Sequence, residues 1–408
     1  MVQLYTRVSR SLALPISTMP RFIIPLADKL DSSIGGMPAN FTRNSTATYI
    51  DVNGLVQTAG IDIPRFQNGR YLCEPAATNL IENSQNLSSW DNTWGGGVTL
   101  ISGLDTIAGL PAFRLIQIDG TVDALFSSKP SLTAGKKYYV SFFIKNFTAI
   151  RSSVNIWDII PNTTHRFVIS WTDGVPSTYF KSTAITEITY TKLVGTGEYL
   201  VSFAYTVPTG SSEHRFLLLP EVSTVSTNGI IVTGVQLATT LTSYIPTTST
   251  PVTSAADVLH YAVGDVITQG QGSLYCEFWD CNINGSLRVV FLLSDGTASN
   301  KVWVLIDTLG KLTLNIKLAG TNVMYSATTS LSSTLNKVLI SYQDNLSKVY
   351  VNGVLIETDD SCIIPLGLST LHIGVSETAT YVLNSEIGNV KYFKEVLTEA
   401  EAIKLTTI

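Results

Sequence analysis

Apolar and polar positions alternate with a period of two through most of this chain, and Gly, Asn and Pro repeatedly interrupt the alternation. Lys136-Lys-Tyr-Tyr-Val-Ser-Phe-Phe-Ile-Lys145 follows a turn at Ala134-Gly135, and Glu198-Tyr-Leu-Val-Ser-Phe-Ala-Tyr205 follows Gly195-Thr-Gly197. Aromatic and β-branched runs of this length between turn residues predict strands. Lys337-Val-Leu-Ile-Ser-Tyr342 alternates cleanly, and Lys348-Val-Tyr-Val-Asn-Gly-Val-Leu-Ile356 predicts a hairpin turning at Asn352-Gly353. Asn53-Gly54 predicts a second hairpin, because both central residues of a type I′ turn need φ > 0 and Asn and Gly tolerate it. One helix is predicted near the end, where Thr398 and Glu401 form a capping box before Ala402-Ile-Lys-Leu405. The fold class is therefore all-β, built of antiparallel β-sandwiches.

The pattern breaks in two places. Residues 1–40 hold neither period for long, with Pro15, Pro20, Pro25, Pro38 and Gly35-Gly36 interrupting, which predicts an extended N-terminal arm. Phe22-Ile23-Ile24 is the part of it expected to dock. The stretch from Thr242 to Val258 is rich in Thr and Ser, with Pro246 and Pro251, and offers no apolar face. It predicts a linker over 246–271, with Tyr244 and Ile245 packed on the preceding domain and flexibility from Thr247 to Ser254.

Composition narrows the function classes. Charged residues are 14% of the 408 residues, below the roughly 25% of an ordinary soluble domain. A net charge of −5 gives no basic field for a phosphate backbone, so no nucleic-acid partner is expected. The apolar runs, such as Val289 to Leu293, fall far short of the roughly 20 residues of a membrane-spanning helix, so no membrane insertion is expected. Arg7 and Arg10 precede Leu12-Ala-Leu14 in the manner of a signal peptide, but Pro15 cuts the apolar run short of roughly 7–15 residues. Cys73, Cys276, Cys281 and Cys362 are too few for a disulfide scaffold and match no redox or zinc spacing.

From Phe41 the chain reads Phe-Thr-Arg-Asn-Ser-Thr-Ala-Thr-Tyr, then Ile63-Pro-Arg-Phe, then Glu74-Pro-Ala-Ala-Thr-Asn-Leu. These words, in this order from Phe41 to Ser84, resemble a module of tailed-bacteriophage and prophage virion proteins of the fibre, tail or decoration type. Leu132-Thr-Ala-Gly-Lys-Lys-Tyr-Tyr-Val-Ser-Phe and Gly229-Ile-Ile-Val-Thr-Gly-Val-Gln-Leu237 look like the jelly rolls of carbohydrate-binding modules, and Gly-Val-Gln-Leu precedes the linker words Thr-Ser-Tyr-Ile-Pro-Thr in such proteins. Relatives carry an Arg where this chain has Ser254; Asp257 is present. Ile340-Ser-Tyr, the Tyr-Val-Asn-Gly hairpin, Leu371-His-Ile-Gly374, Glu386-Ile-Gly-Asn-Val-Lys-Tyr392 and the final helix resemble the laminin-G-like, concanavalin A-like lectin fold. The resemblances imply an arm for virion attachment (1–40), a phage-type attachment module (41–89), a carbohydrate-binding-module-like jelly roll (90–245), the linker (246–271) and a laminin-G-like lectin domain (272–408).

Catalytic motifs are missing from the sequence. His165, His214, His260 and His372 stand far apart, with no second ligand at helix spacing. No Gly-X-Ser-X-Gly elbow or P-loop is present, and Gly95-Gly-Gly97 has no helix after it. The carboxylate pairs Asp119 with Asp123 and Glu277 with Asp280 are the candidates for a glycosidase. Asp359-Asp360 alone is far from the 6–8 oxygens of a calcium site. No cofactor, metal or catalytic residue is expected.

Glycans are held by aromatic faces and fixed polar groups, so Trp303, Tyr325 and Tyr381 are the candidate contacts, although Trp303 lies in a strand with apolar neighbours on both sides, which favours a core position. The expectation is a non-enzymatic virion protein, exposed on the particle after assembly in the bacterial cytoplasm. The N-terminal region would join other virion proteins, and the resemblance favours a homotrimer. The distal sandwich domains would bind a bacterial surface glycan. The alternatives are structural cement between capsid or tail subunits and a glycan-degrading tailspike.

Overall fold

A computed structural model describes residues 19–94, 98–118, 124–127, 129–195, 197–222, 228–279, 285–332 and 334–408. The fold is all-β with antiparallel pairing, as the alternation predicts. The chain forms two compact units, one of Phe41–Asp257 and one that joins the residues up to Asn40 with Val258–Ile408.

The unit of Phe41–Asp257 is a sandwich of two six-stranded sheets. One runs Ile185–Lys192, Glu198–Thr206, Lys137–Asn146, Gly229–Ala238, Leu110–Gln117, Val98–Ile107; the other runs Val175–Lys181, Thr163–Thr172, Arg151–Ile160, Glu213–Leu219, Ala124–Phe126, Asp91–Trp94. Alternate residues of each strand turn inward. Val140, Phe142 and Ile144 of the first sheet join Val154, Ile156, Phe167, Ile169, Phe216 and Leu218 of the second in one core. At roughly 1.5–3 kcal/mol per buried large apolar side chain, this set is a major stabiliser of the unit.

The words that mark the module converge on one buried ion cluster. Arg43 from Phe-Thr-Arg donates through Nη1 to Asp257 Oδ1 at 3.0 Å, and Arg65 from Pro-Arg-Phe donates through Nη2 to Asp257 Oδ2 at 2.5 Å. Glu74 from Glu-Pro-Ala accepts from Arg65 Nη1 at 2.6 Å and takes the Ser243 N–H at 2.7 Å. Arg43 also donates to the carbonyls of Ser45, Gly60 and Ile63. Burial works against the Arg65 charge, yet Glu74 and Asp257 hold its pKa above the ordinary arginine value. Asn79, from Thr-Asn-Leu, donates to the carbonyls of Val235 and Ile245.

The expected linker is consequently built into this unit and its neighbour. Tyr244 stands edge-on to Phe143 and shares a 2.6 Å hydrogen bond with Ser84 Oγ, so the docking of Tyr244 is observed. Flexibility beyond it is not: Thr247 is buried, and Val252–Ser254 pairs with Ala77–Asn79. Side-chain hydroxyls and amides, rather than an apolar face, supply these contacts, which is why the hydrophobic pattern hid them. Val258–Ala262 is already a strand of the other unit.

That other unit is also a sandwich. One sheet runs Val354–Asp359, Leu346–Val351, Leu335–Gln343, Gln271–Trp279, Ser385–Phe393, with Phe22–Ile24 paired to the last; the other runs Val258–Ala262, Thr370–Ile373, Arg288–Ser294, Lys301–Ile306, Lys311–Leu318, Thr321–Ser330. From Arg21 onward the expected arm is thus part of this fold, with Phe22 stacked on Tyr392 at 5.3 Å; residues 1–18 lie outside the described residues. The helix Glu399–Thr406 begins at the predicted capping box and packs Ala402 on Tyr275, Leu339, Tyr350 and Phe393. Asn352 and Gly353 both take positive φ, as the hairpin requires, and Val351 pairs with Val354. At Asn53-Gly54 only Gly54 does, because Asp51 Oδ1 accepts the N–H of Asn53 and of Leu55 and organises a wider loop instead of a two-residue turn.

Candidate ligand-binding face

In the sheet that ends with Lys311–Leu318 and Thr321–Ser330, one set of alternate residues is wholly apolar and buried: Tyr261, Leu371, Leu293, Val302 and Ile316. The complementary set forms the opposite face, and its register makes a single row. His260 lies opposite His372, His372 opposite Leu292, Leu292 opposite Trp303, Trp303 opposite Asn315 and Asn315 opposite Tyr325. Residues directly opposite in antiparallel strands project to the same side. Thr313 and Lys301 sit two residues along from Asn315 and Trp303 on that side.

Several polar atoms of this row are buried without a hydrogen-bond partner among the described residues. They are His260 Nδ1, His372 Nδ1, Trp303 Nε1, Thr313 Oγ1 and Asn315 Oδ1. Buried polar atoms in folded proteins are nearly always paired with protein or with water, so a cluster of them on one face without a partner in the chain can bond polar atoms from outside it. The chemistry is mixed. The indole N–H can only donate, the Asn315 oxygen can only accept, and a hydroxyl or a neutral imidazole can do both.

The charges on this face are already spent. Lys301 Nζ lies 3.3 Å from Glu377 Oε1, carried over by the hairpin around Val375 and Val382, and 4.0 Å from the centre of the Trp303 ring. The two imidazoles stack at 5.3 Å. Burial, then the neighbouring His260, pulls the His372 pKa down to about 4 against the opposing pull of Glu377, and burial lowers that of His260. Both are therefore neutral near pH 7.

The sequence candidates separate on this geometry. Trp303 is half-buried and stands in the polar row rather than in the core, contrary to the expectation drawn from its apolar neighbours. Tyr325 shares the row by its backbone register, but its side chain lies outside the described residues. Tyr381 is in the hairpin that bears Glu377, where its backbone bonds to Ser376. His260, His372, Thr313 and Asn315 share this face and are not among the sequence candidates. The signal was present in Lys311-Leu-Thr-Leu-Asn-Ile-Lys-Leu, whose polar positions alternate with buried Leu312, Leu314 and Ile316.

The four histidines, distant in sequence, pair in space. His165 Nε2 lies 3.1 Å from Asp158 Oδ2, and His214 Nε2 lies 3.6 Å from Asp158 Oδ1 and 3.0 Å from Ser211 Oγ. This resembles a Ser-His-Asp triad only in composition. Hydroxyl and carboxylate address the same ring nitrogen, whereas a triad needs the carboxylate on Nδ1, which here has no partner among the described residues. Burial lowers the His214 pKa and Tyr205 donates to Asp158 at 2.7 Å, so the cluster is a buried polar network inside the sandwich.

Among the described residues no group of three or more His, Cys, Asp or Glu could hold a metal ion. Asp359 Oδ1 is taken by the Ser361 N–H and hydroxyl. Cys73, Cys276 and Cys362 are buried thiols in no disulfide, and burial pushes their pKa up. Glu277 is bound by the Tyr275 hydroxyl at 2.6 Å and the Asn389 amide at 2.9 Å. Its expected partner Asp280, the pair Asp119 and Asp123, Gly95–Gly97 and Cys281 lie outside the described residues.

No family model matches this chain, and no curated protein matches it. Solved structures share part of it. The CBM40 of Ruminococcus gnavus IT-sialidase bound to alpha2,3 sialyllactose is 18% identical over 35% of this chain and 84% of its own, with a TM-score of 0.31. Domain 4 of AbnA, a GH43 extracellular arabinanase from Geobacillus stearothermophilus in complex with arabinotriose, is 13% identical over 37% of this chain and 73% of its own, at 0.30. The SAP-like pentraxin of Limulus polyphemus is 15% identical over 33% and 69%, at 0.26.

Proposed function

We propose that this chain is a non-catalytic glycan-binding protein, and that the row from His260 to Asn315 holds a neutral saccharide. The cluster of buried, unpaired donors and acceptors beside a half-exposed indole is the observation that carries the reading. A sugar hydroxyl is donor and acceptor at once and so satisfies the mixed set, while an indole edge and face suit the apolar side of a pyranose ring. With Lys301 neutralised by Glu377 and both imidazoles uncharged, an anionic ligand gains little here. Purified full-length protein on a glycan array should retain neutral oligosaccharides, and Trp303→Ala and Asn315→Ala should each lower that retention. An array without any retained neutral glycan overturns the proposal.

The biological setting we propose is the virion of a tailed bacteriophage, as a fibre, spike or decoration that engages glycans of the host surface. Support comes from the ordered words between Phe41 and Ser84. Attachment to other virion proteins through the N-terminal region, and assembly as a trimer, belong to the same proposal. Immunogold labelling of particles from a producing strain tests it: label on the exposed periphery is expected, and particles free of the protein overturn it.

A further inference from the structure

The unit of Phe41–Asp257 carries a second face of different chemistry. In Arg151–Ile160, Val154 and Ile156 turn into the core, so Arg151, Ser153, Asn155 and Trp157 line the outer side of the sheet. Arg166 lies opposite Asn155, Arg215 opposite Trp157, and Phe180 opposite Val168, which is itself opposite Ser153. At the sheet edge Tyr179 and Phe180 are 56% and 49% exposed, large values for rings of this size. The Arg151 guanidinium sits 3.7 Å from the centre of the Tyr179 ring.

Charge on this face is unbalanced. Arg215 is paired with Asp91 at 3.0 Å, and Glu213 with Lys129 at 3.4 Å. The Glu221 carboxylate accepts backbone N–H groups of Ile150 and Arg151 and the Asn228 amide. Arg151 and Arg166 have no carboxylate partner among the described residues, and Arg151 Nε is buried there without a hydrogen-bond acceptor. A planar guanidinium held against an aromatic ring, with its edge unpaired, is prepared for bidentate recognition of a carboxylate.

We propose that this face binds an acidic polysaccharide, with Arg151 and Arg166 taking carboxylates of the chain and Tyr179, Phe180 and Trp157 offering planes to its sugar rings. Along the strand, Asn155 stands four residues from Arg151, so the arginines are separated by about 13 Å, a span that linked sugars fill better than one small anion. Nucleic acid fits less well. Two unpaired arginines are few against a duplex with a charge every ~1.7 Å, and the chain as a whole carries a net charge of −5.

The test is affinity electrophoresis and titration calorimetry of the full chain against polygalacturonate, dextran and single-stranded DNA at low salt. Polygalacturonate should bind, more weakly as salt rises, and Arg151→Gln with Arg166→Gln should weaken binding by about tenfold or more. Arg166→Gln alone, at an exposed position, should give part of that loss with unfolding unchanged, which separates binding from folding. Trp303→Ala should leave polygalacturonate affinity as it was, so this result is independent of the neutral-glycan site. No binding of polygalacturonate, equal retention by dextran, tighter binding of DNA through the same arginines, or an unaffected double variant each overturns the proposal.

Discussion

Replacing Asp257 by Ala is the sharpest test of how the unit of Phe41–Asp257 is held together. The carboxylate is fully buried and holds two guanidinium groups, at 3.0 Å and 2.5 Å, while taking the Glu74 N–H at 2.9 Å. In Asp257→Ala, Arg65 keeps Glu74 but Arg43 keeps only carbonyl acceptors. Breaking a buried ion pair by removing one partner costs about 3–5 kcal/mol, because the other charge stays desolvated. For a unit of this size each kcal/mol lowers Tm by roughly 2–4 °C, so a fall of about 6–20 °C is expected. Differential scanning calorimetry of the full chain reads it directly. Asp257→Asn should recover part of the loss, since its amide oxygen can still accept. A fall below about 2 °C for Asp257→Ala would refute the reasoning and make the cluster an ornament of the fold.

Tyr244→Phe removes the hydroxyl shared with Ser84 Oγ and should cost about 1 kcal/mol in urea unfolding. Thr398→Ala should cost about as much by removing the helix cap, seen as a lower urea midpoint for the unit of Val258–Ile408. His372, with its pKa lowered to about 4, binds a proton more readily unfolded than folded. Its contribution is therefore fully present above the ordinary histidine pKa near 6.5 and is lost as pH falls from there towards 4. Urea midpoints of the wild type should drop between pH 7 and pH 4.5, and His372→Gln should show a shallower drop. Limited proteolysis should spare Thr247–Ser254, where the Thr247 hydroxyl bonds the Ile81 carbonyl and a strand pairs with Ala77–Asn79; an early cut there would contradict the pairing.

What was legible in the sequence was what is local. The Asn352-Gly353 hairpin and the Thr398/Glu401 cap are each set by residues within a few positions of one another, and both appear as predicted. The sandwich class follows from the period-two alternation. The ion cluster was visible only as separate words, because Arg43 and Asp257 lie 214 positions apart and nothing in periodicity reports such a pairing. At the candidate site Trp303 was singled out by residue type, but its placement was misjudged. A strand buried on both sides reads as continuous apolar sequence, and only the cross-strand register, brought about by tertiary folding, aligned it with His260, His372 and Asn315. Polar linkers that fold through hydroxyl and amide contacts are likewise silent in hydrophobic patterning.

The Arg43–Asp257 bridge joins residues near the two ends of one unit, and the other unit is made of the sequence on both sides of it. In chain order the residues Phe41–Asp257 are an insertion within the sequence of the other unit, and one ion pair holds the two ends of that insertion together. Any chimera that moves this insertion would therefore have to carry Arg43, Arg65 and Asp257 together, since a carboxylate or guanidinium left behind would be a buried charge without its counter-ion.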